Sequence, residues 1–210
     1  MPTGITGVYE FAPGERAGPI SNGDALLTLR AAVARIPDLP VAAALGTALS
    51  LLNIADRGPD IPEVAFAKGP KVTKVPSAIR RTYRVLRFNW KLPVDMLQGA
   101  PVHRAATVLV HAADRPTDVR SWGGMLELLP AIIAAAPLDE IATEIGGRPH
   151  ATKIRLAYLT ESIAPGLGEA LKIKPAGKVW FGPRRQLRRH DARWNVADTI
   201  LPFAPYEILT

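Results

Sequence analysis

The chain has 210 residues, 48% apolar and 21% charged, with 17 glycines and 20 prolines. That length fits one domain or two small ones, and the glycine and proline content stays below the roughly 25–30% of low-complexity chains. Cysteine is absent, which excludes disulfide frameworks, thiolate zinc sites, iron–sulfur clusters and cysteine nucleophiles. A net charge of +7 favours phosphate, an anionic membrane or an acidic protein as partner.

Residues 5–11 read as a short strand carrying Val8 and Tyr9 and ended by Pro13-Gly14. Asp24 is placed to cap a helix through Leu26, Leu29, Ala32 and Ile36, which Pro37 stops. A second helix is expected over 41–54, apolar nearly all round and therefore central to the core. After a loop at 56–62, residues 63–67 read as a strand, Pro76 opens a short basic helix, and 84–88 alternate as a strand with Val85 inward. Helices follow at 103–113, 124–136, 138–145 and 151–163. Pro130 predicts a kink or break in the second of these, and Lys153, Thr160 and Glu161 are expected on the outer side of the last. Strands return near 179–181 and 194–196. The expected architecture is α+β, a small mixed sheet with a mainly helical C-terminal half, with its internal boundary in the loop at 93–101 or at 115–120.

The longest apolar runs, 41–52 and 125–137, fall short of the roughly 18 residues of a membrane span. Residues 1–7 lack the charged and apolar regions of a signal peptide. A cytoplasmic protein without membrane attachment is the expectation.

Charge is concentrated in two segments. Residues 64–94 hold eight bases and no acid: Lys68, Lys71, Lys74, Arg80, Arg81, Arg84, Arg87 and Lys91. Residues 172–193 hold eight more, among them Arg184, Arg185, Arg188 and Arg189, against Asp191 alone. The rest of the chain is net acidic. Such runs serve either as a solvated face paired with acids brought in by folding or as a surface for polyanions, with guanidinium forks meeting phosphates. On the second reading Lys68, Lys71, Lys74, Arg80, Arg81, Arg84, Arg184, Arg185, Arg188 and Arg189 bind nucleic acid. Trp180, Phe181 and Trp194 interleave with the second segment; core packing is favoured over base stacking for them, since aromatic residues are only 6% of the chain.

Phosphate-loop and dinucleotide motifs are missing. His103, His111, His150 and His190 have no HExxH spacing, so core or cap roles are expected for them and no metal site. His190-Asp191, Asn195 and Asp198 resemble, one residue short, the catalytic loop of protein kinases, in which an aspartate takes a hydroxyl proton and an asparagine holds magnesium. A loop aspartate paired with nearby arginines explains the same residues and is favoured. No cofactor is expected, and ATP with magnesium enters only on the kinase reading.

Several stretches, taken in order, resemble the antitoxin of the AbiE abortive-infection system, the AbiEi family of type IV toxin–antitoxin modules. Gly7-Val8-Tyr9-Glu10 resembles the last wing strand of its N-terminal winged helix-turn-helix. Residues 47–53 followed by Pro62-Glu63-Val64-Ala65 resemble its helix-then-strand core, and 103–109 the Arg-Ala helix that follows. Residues 153–161 are similar to its Arg-Leu-Gly-Tyr-Leu helix, with Ala157 in place of the usual glycine, and Trp194-Asn195-Val196 to its closing strand. The resemblance implies a winged-helix remnant at 1–22, an α/β subdomain at 23–100 and a helical subdomain at 101–210. It also implies an antitoxin that neutralises a nucleotidyltransferase toxin, with Lys153, Arg155 and Tyr158 as toxin-binding residues and operator DNA as a second partner. Neutralisation proceeds either by binding or by covalent phosphorylation of the toxin through Asp191, Asn195 and Asp198; the oligomeric state is left open.

Overall fold

A computed structural model describes residues 24–67, 74–175 and 177–205; the expected strand at 5–11, the winged-helix remnant, Lys68 and Lys71 lie outside them. Asp24, expected to cap α1 (Leu27–Arg35), lies two residues before the N-cap position, Leu26, which has no side-chain cap. The Asp24 carboxylate accepts from the Leu26 N–H at 2.8 Å and pairs with Arg30 at 2.7 Å. Beyond α1 the run expected as one helix divides. Residues Val41–Ala43 form strand β1, and Leu45, at a left-handed φ of 44°, turns the chain into α2 (Leu45–Leu51). β1 is buried along its whole length between two neighbours, so it carries none of the alternation that marks a half-exposed strand.

Strands β2 (Glu63–Phe66) and β3 (Arg84–Arg87) flank the short helix α3 (Ser77–Thr82) and pair in parallel. The stretch 93–101, expected as a loop, is instead a hairpin of β4 (Asp95–Leu97) and β5 (Ala100–Val102). Its two turn residues, Gln98 and Gly99, sit at φ 49° and 73°, the left-handed pair that a tight two-residue hairpin requires. The sheet runs β3-β2-β1-β5-β4. The boundary expected after residue 100 therefore falls inside a strand.

The C-terminal half is helical: α4 (Ala105–Asp114), α5 (Trp122–Ala134), α6 (Leu138–Ile145), α7 (His150–Thr160) and α8 (Leu167–Ala170). Helix α4 is buried from Ala105 to Ala113 and touches α2, α5, α6 and α7. An alanine-rich helix with apolar residues all round suits that axial place, because small side chains let four neighbours approach. Helix α5 continues through Pro130 without a break in its assignment. Thr160, expected outward, is fully buried and donates its hydroxyl to the Leu156 carbonyl at 3.0 Å. A second sheet, β6 (Val179–Phe181), β8 (Val196–Asp198) and β7 (Arg189–Asp191) in that order, packs on α7.

Close packing at α7 survives the alanine at 157 because the glycine is on the facing helix. A Cβ built on Gly168 of α8 would lie 3.2 Å from the Ala157 Cβ and 2.7 Å from the Trp194 ring.

Candidate basic surface and cleft

The C-terminal basic segment divides into anchors and free cations. Gly182, at φ 103°, turns the chain out of β6, and a Cβ there would fall 2.6 Å from Thr199 and Ile200. From that turn Arg188 donates to the Ile200 and Leu201 carbonyls, and Arg189 pairs with Asp198 at 3.2 Å and reaches the Leu201 and Pro202 carbonyls. These two arginines staple the loop to the chain that follows β8. Arg184 and Arg185 are exposed and make no hydrogen bond or ion pair with the described residues. Arg185 and Arg120 line one shallow groove of about 380 Å³.

The aromatic residues of this segment serve the core. Phe181 and Trp194 are buried, and the half-buried Trp180 ring carries the Lys178 ammonium at 5.0 Å.

The residues of the kinase-like pattern are engaged in closing the second sheet. Asp198 is fully buried; its carboxylate accepts from the Ile200 and Leu201 N–H groups at 3.0 Å each, from Arg189, and from the Tyr158 hydroxyl at 3.4 Å. Asp191 accepts from the Trp194 N–H at 2.7 Å and so closes the β7–β8 turn, where Asn195 holds φ 51° and faces His190 at 3.1 Å. A carboxylate with four donors and no exposure has no room for a substrate hydroxyl or a magnesium ion. The expected arginine partner is found at Asp198, on β8, and Asp191 is instead held by the Trp194 N–H.

The three positions expected on α7 part company in the same way. Lys153 is half-buried, and its side chain has no hydrogen bond or ion pair among the described residues. Arg155 donates to the Trp180 carbonyl at 2.7 Å and the Asp114 carbonyl at 3.2 Å, and burial lowers its pKa. It joins β6 and the end of α4 to α7, a task its spaced donors suit. Tyr158 is 3% exposed, its hydroxyl pKa is raised by burial and by Asp198, and its ring meets Phe181 edge-on. It is therefore a core residue and no part of a contact surface.

In the first basic segment Lys74, Arg80 and Arg81 are exposed and unpaired among the described residues. Arg84 is not free: it pairs with the buried Glu63 at 2.8 Å and donates to the Asp118 carbonyl at 2.6 Å. Glu63 also receives the Gly46 N–H at 3.0 Å, so Arg84 neutralises a charge at the start of β2.

One feature has no counterpart in the sequence expectations. Beyond the ends of β2 and β3, Arg87, Arg115 and Arg148 surround a cleft of about 450 Å³ with Phe66 and Phe88. Arg115 and Arg148 lie outside both basic segments, and only the fold brings them to Arg87; the Arg-Phe pair at 87–88 was the one local signal. Beneath Phe88 the His111 ring stacks at 4.1 Å, and His103 meets Trp90 at 4.7 Å. Both histidines are fully buried with pKa values lowered first by burial, His103 further by its neighbour His111.

Residues 41–162 match a family model described as the AbiEi antitoxin C-terminal domain. The fold is similar to the crystal structure of the RV2827C protein from Mycobacterium tuberculosis, with a TM-score of 0.71 and 21% identity, covering 89% of this chain and 71% of that one. A comparison with curated protein sequences gives no match. Among the described residues no helix is long and apolar enough to cross a membrane.

Proposed function

The chain belongs to the AbiEi antitoxin family, and from that premise we propose that it neutralises a nucleotidyltransferase toxin by direct contact. An antitoxin role and a toxin partner come with the family; the toxin's chemistry and the contact surface are our reading. The observation that carries it is the family match over 41–162, which spans β1 to α7. The contact surface is the C-terminal turn, where Arg184 and Arg185 project without partners while Arg188 and Arg189 hold the loop in place. Unpaired guanidiniums on an anchored loop steer an acidic partner and lose little entropy on contact. Lys153 contributes to the same class of contact from α7.

The test is co-expression with the cognate toxin. The native chain restores growth, and Arg184→Glu with Arg185→Glu loses the rescue while circular dichroism stays native. Unchanged nucleotide transfer by purified toxin in the presence of excess native chain defeats the proposal. The intact mass of the toxin after incubation with the chain, ATP and magnesium separates contact from covalent modification; a gain of about one phosphate overturns neutralisation by contact alone.

A second reading, operator DNA, is supported by Lys74, Arg80 and Arg81 exposed together around α3. Phosphate contacts of that kind weaken steeply with salt. Removing these three charges should shallow the salt dependence of DNA retention by about three contacts' worth.

A further inference from the structure

We propose that the cleft beyond β2 and β3 binds the phosphoryl group of a small phosphorylated ligand through Arg87 and Arg115. This goes beyond neutralisation of the toxin and does not depend on it. The cleft lies at the carboxyl ends of two parallel strands, where open sheets present backbone and loops to ligands. Its volume of about 450 Å³ is within the range of small-molecule sites and much exceeds a bare carboxylate.

Its charge balance is the main argument. The one acid in the lining, Asp114, is already engaged, receiving the Thr152 hydroxyl at 2.5 Å and facing Arg148 at 3.5 Å. Arg148 is spent in turn on the buried Glu144 and the Asn89 carbonyl, each at 2.5 Å. Glu144 also accepts the Lys91 and Leu92 N–H groups. Arg87 and Arg115 are exposed, and their side chains have neither hydrogen bond nor ion pair among the described residues. Two uncompensated guanidiniums therefore face one cavity, and the acids that would have neutralised them are occupied elsewhere.

One of the two, Arg87, is also positioned in advance, and so is the neighbouring Arg148. The Arg87 guanidinium lies over the Phe66 ring at 4.9 Å and that of Arg148 over Phe88 at 4.3 Å. A ring beneath the guanidinium plane holds it by cation–π attraction and leaves its N–H edges for a ligand. Phe88 is itself fixed by His111 stacked on its other face. Tetrahedral phosphate oxygens match such forks, and preorganised donors lose less entropy on binding.

The experiment is titration calorimetry of the full chain with inorganic pyrophosphate and, separately, with ADP. Saturable binding of either is expected, and Arg87→Gln or Arg115→Gln should weaken it about tenfold or more. Arg184→Gln with Arg185→Gln removes two charges elsewhere and should leave it unchanged. ADP binding more tightly than pyrophosphate places the nucleoside in the remaining volume; equal binding assigns the phosphoryl contacts alone, and both support the site. Absence of saturable binding by both probes overturns it, as does binding indifferent to Arg87 and Arg115 or equally reduced by the distant pair. Both residues are exposed, so the variants fold, which far-ultraviolet circular dichroism verifies.

Discussion

The two basic segments have equal numbers of bases and opposite ways of disposing of them. In residues 64–94 the cations that are tied down are held by an acid, a ring and carbonyls of other elements: Arg84 by Glu63 and the Asp118 carbonyl, Arg87 by Phe66, Lys91 by the Gly146 carbonyl. In 172–193 they are held mainly by backbone carbonyls of the chain after β8, with Asp198 as the one buried acid. Arg193 adds an exposed pairing with Glu161. Arg84 and Arg87 lie on β3 of the main sheet, so they meet what the sheet buries. The second segment is a turn that must be closed, and its arginines are the clasp. In both cases the cations left over stand where the backbone faces outward: Arg80 and Arg81 on α3, Arg184 and Arg185 at the tip of the turn.

Breaking the clasp should have the largest effect. Asp198→Ala removes an acceptor with four donors and leaves Arg189 and two N–H groups without it. A loss of about 3–5 kcal/mol is expected in denaturant unfolding, the usual cost of removing one side of a buried ion pair. A change below about 1 kcal/mol would show that the loop is held by carbonyl contacts alone. The corresponding change in the first segment, Glu63→Gln, should cost about 2 kcal/mol. The amide keeps a hydrogen bond to Gly46 but no longer balances Arg84. Equal losses at the two sites would erase the contrast between clasp and sheet.

Much of this was legible in the sequence. The helix after Asp24, the strands at 63–66 and 84–87 and the run of helices after residue 103 carry local signals that tertiary structure did not override. β1 was not legible, because a three-residue strand buried on both faces has the composition of a buried helix. The β4–β5 hairpin was hidden behind Pro93 and Pro101, and its turn, Gln98-Gly99, lacks the Asn-Gly signature. For the candidate site the limit was different in kind. Residue spacing marks a cation but not its partner, so Arg155 and Arg185 look alike in sequence and diverge only when Trp180 and Asp114 arrive beside the first. Arg115 and Arg148 could not be associated with Arg87 at all, since 28 and 61 residues of chain separate them from it.

The first segment also rests on two buried histidines, and they give the fold a pH dependence. Burial, with His111 adding to it, keeps the His103 pKa well below its ordinary 6.5. The unfolded chain therefore binds a proton that the folded one refuses. Stability is complete above about pH 6.5 and falls as the pH drops below it, by about 1.4 kcal/mol per pH unit for each such group. The same direction holds for His111, whose partner Asp118 opposes the shift and whose neighbour Arg115 adds to it. His103 has no hydrogen-bond partner on either ring nitrogen, so His103→Phe costs little at pH 8. Unfolding measured from pH 8 to 5 should show a shallower loss for the variant; parallel curves would remove His103 from the account.

The smallest effect on stability should come from the residues given the largest role in function. Arg184→Glu with Arg185→Glu changes two exposed side chains that touch no described partner, and surface changes of that kind stay within about 0.5 kcal/mol. Arg188→Ala with Arg189→Ala changes the net charge by only half as much but removes the contacts to Leu201 and Asp198, so it should cost several times more. If toxin neutralisation requires the free pair, the first double variant abolishes rescue without lowering the unfolding midpoint, and the second lowers the midpoint first. Loss of rescue in strict proportion to loss of stability across both variants would mean that the loop acts only as a clasp. Stability and rescue must be measured on the same preparations, because a destabilised antitoxin fails for want of folded chain whatever its surface does.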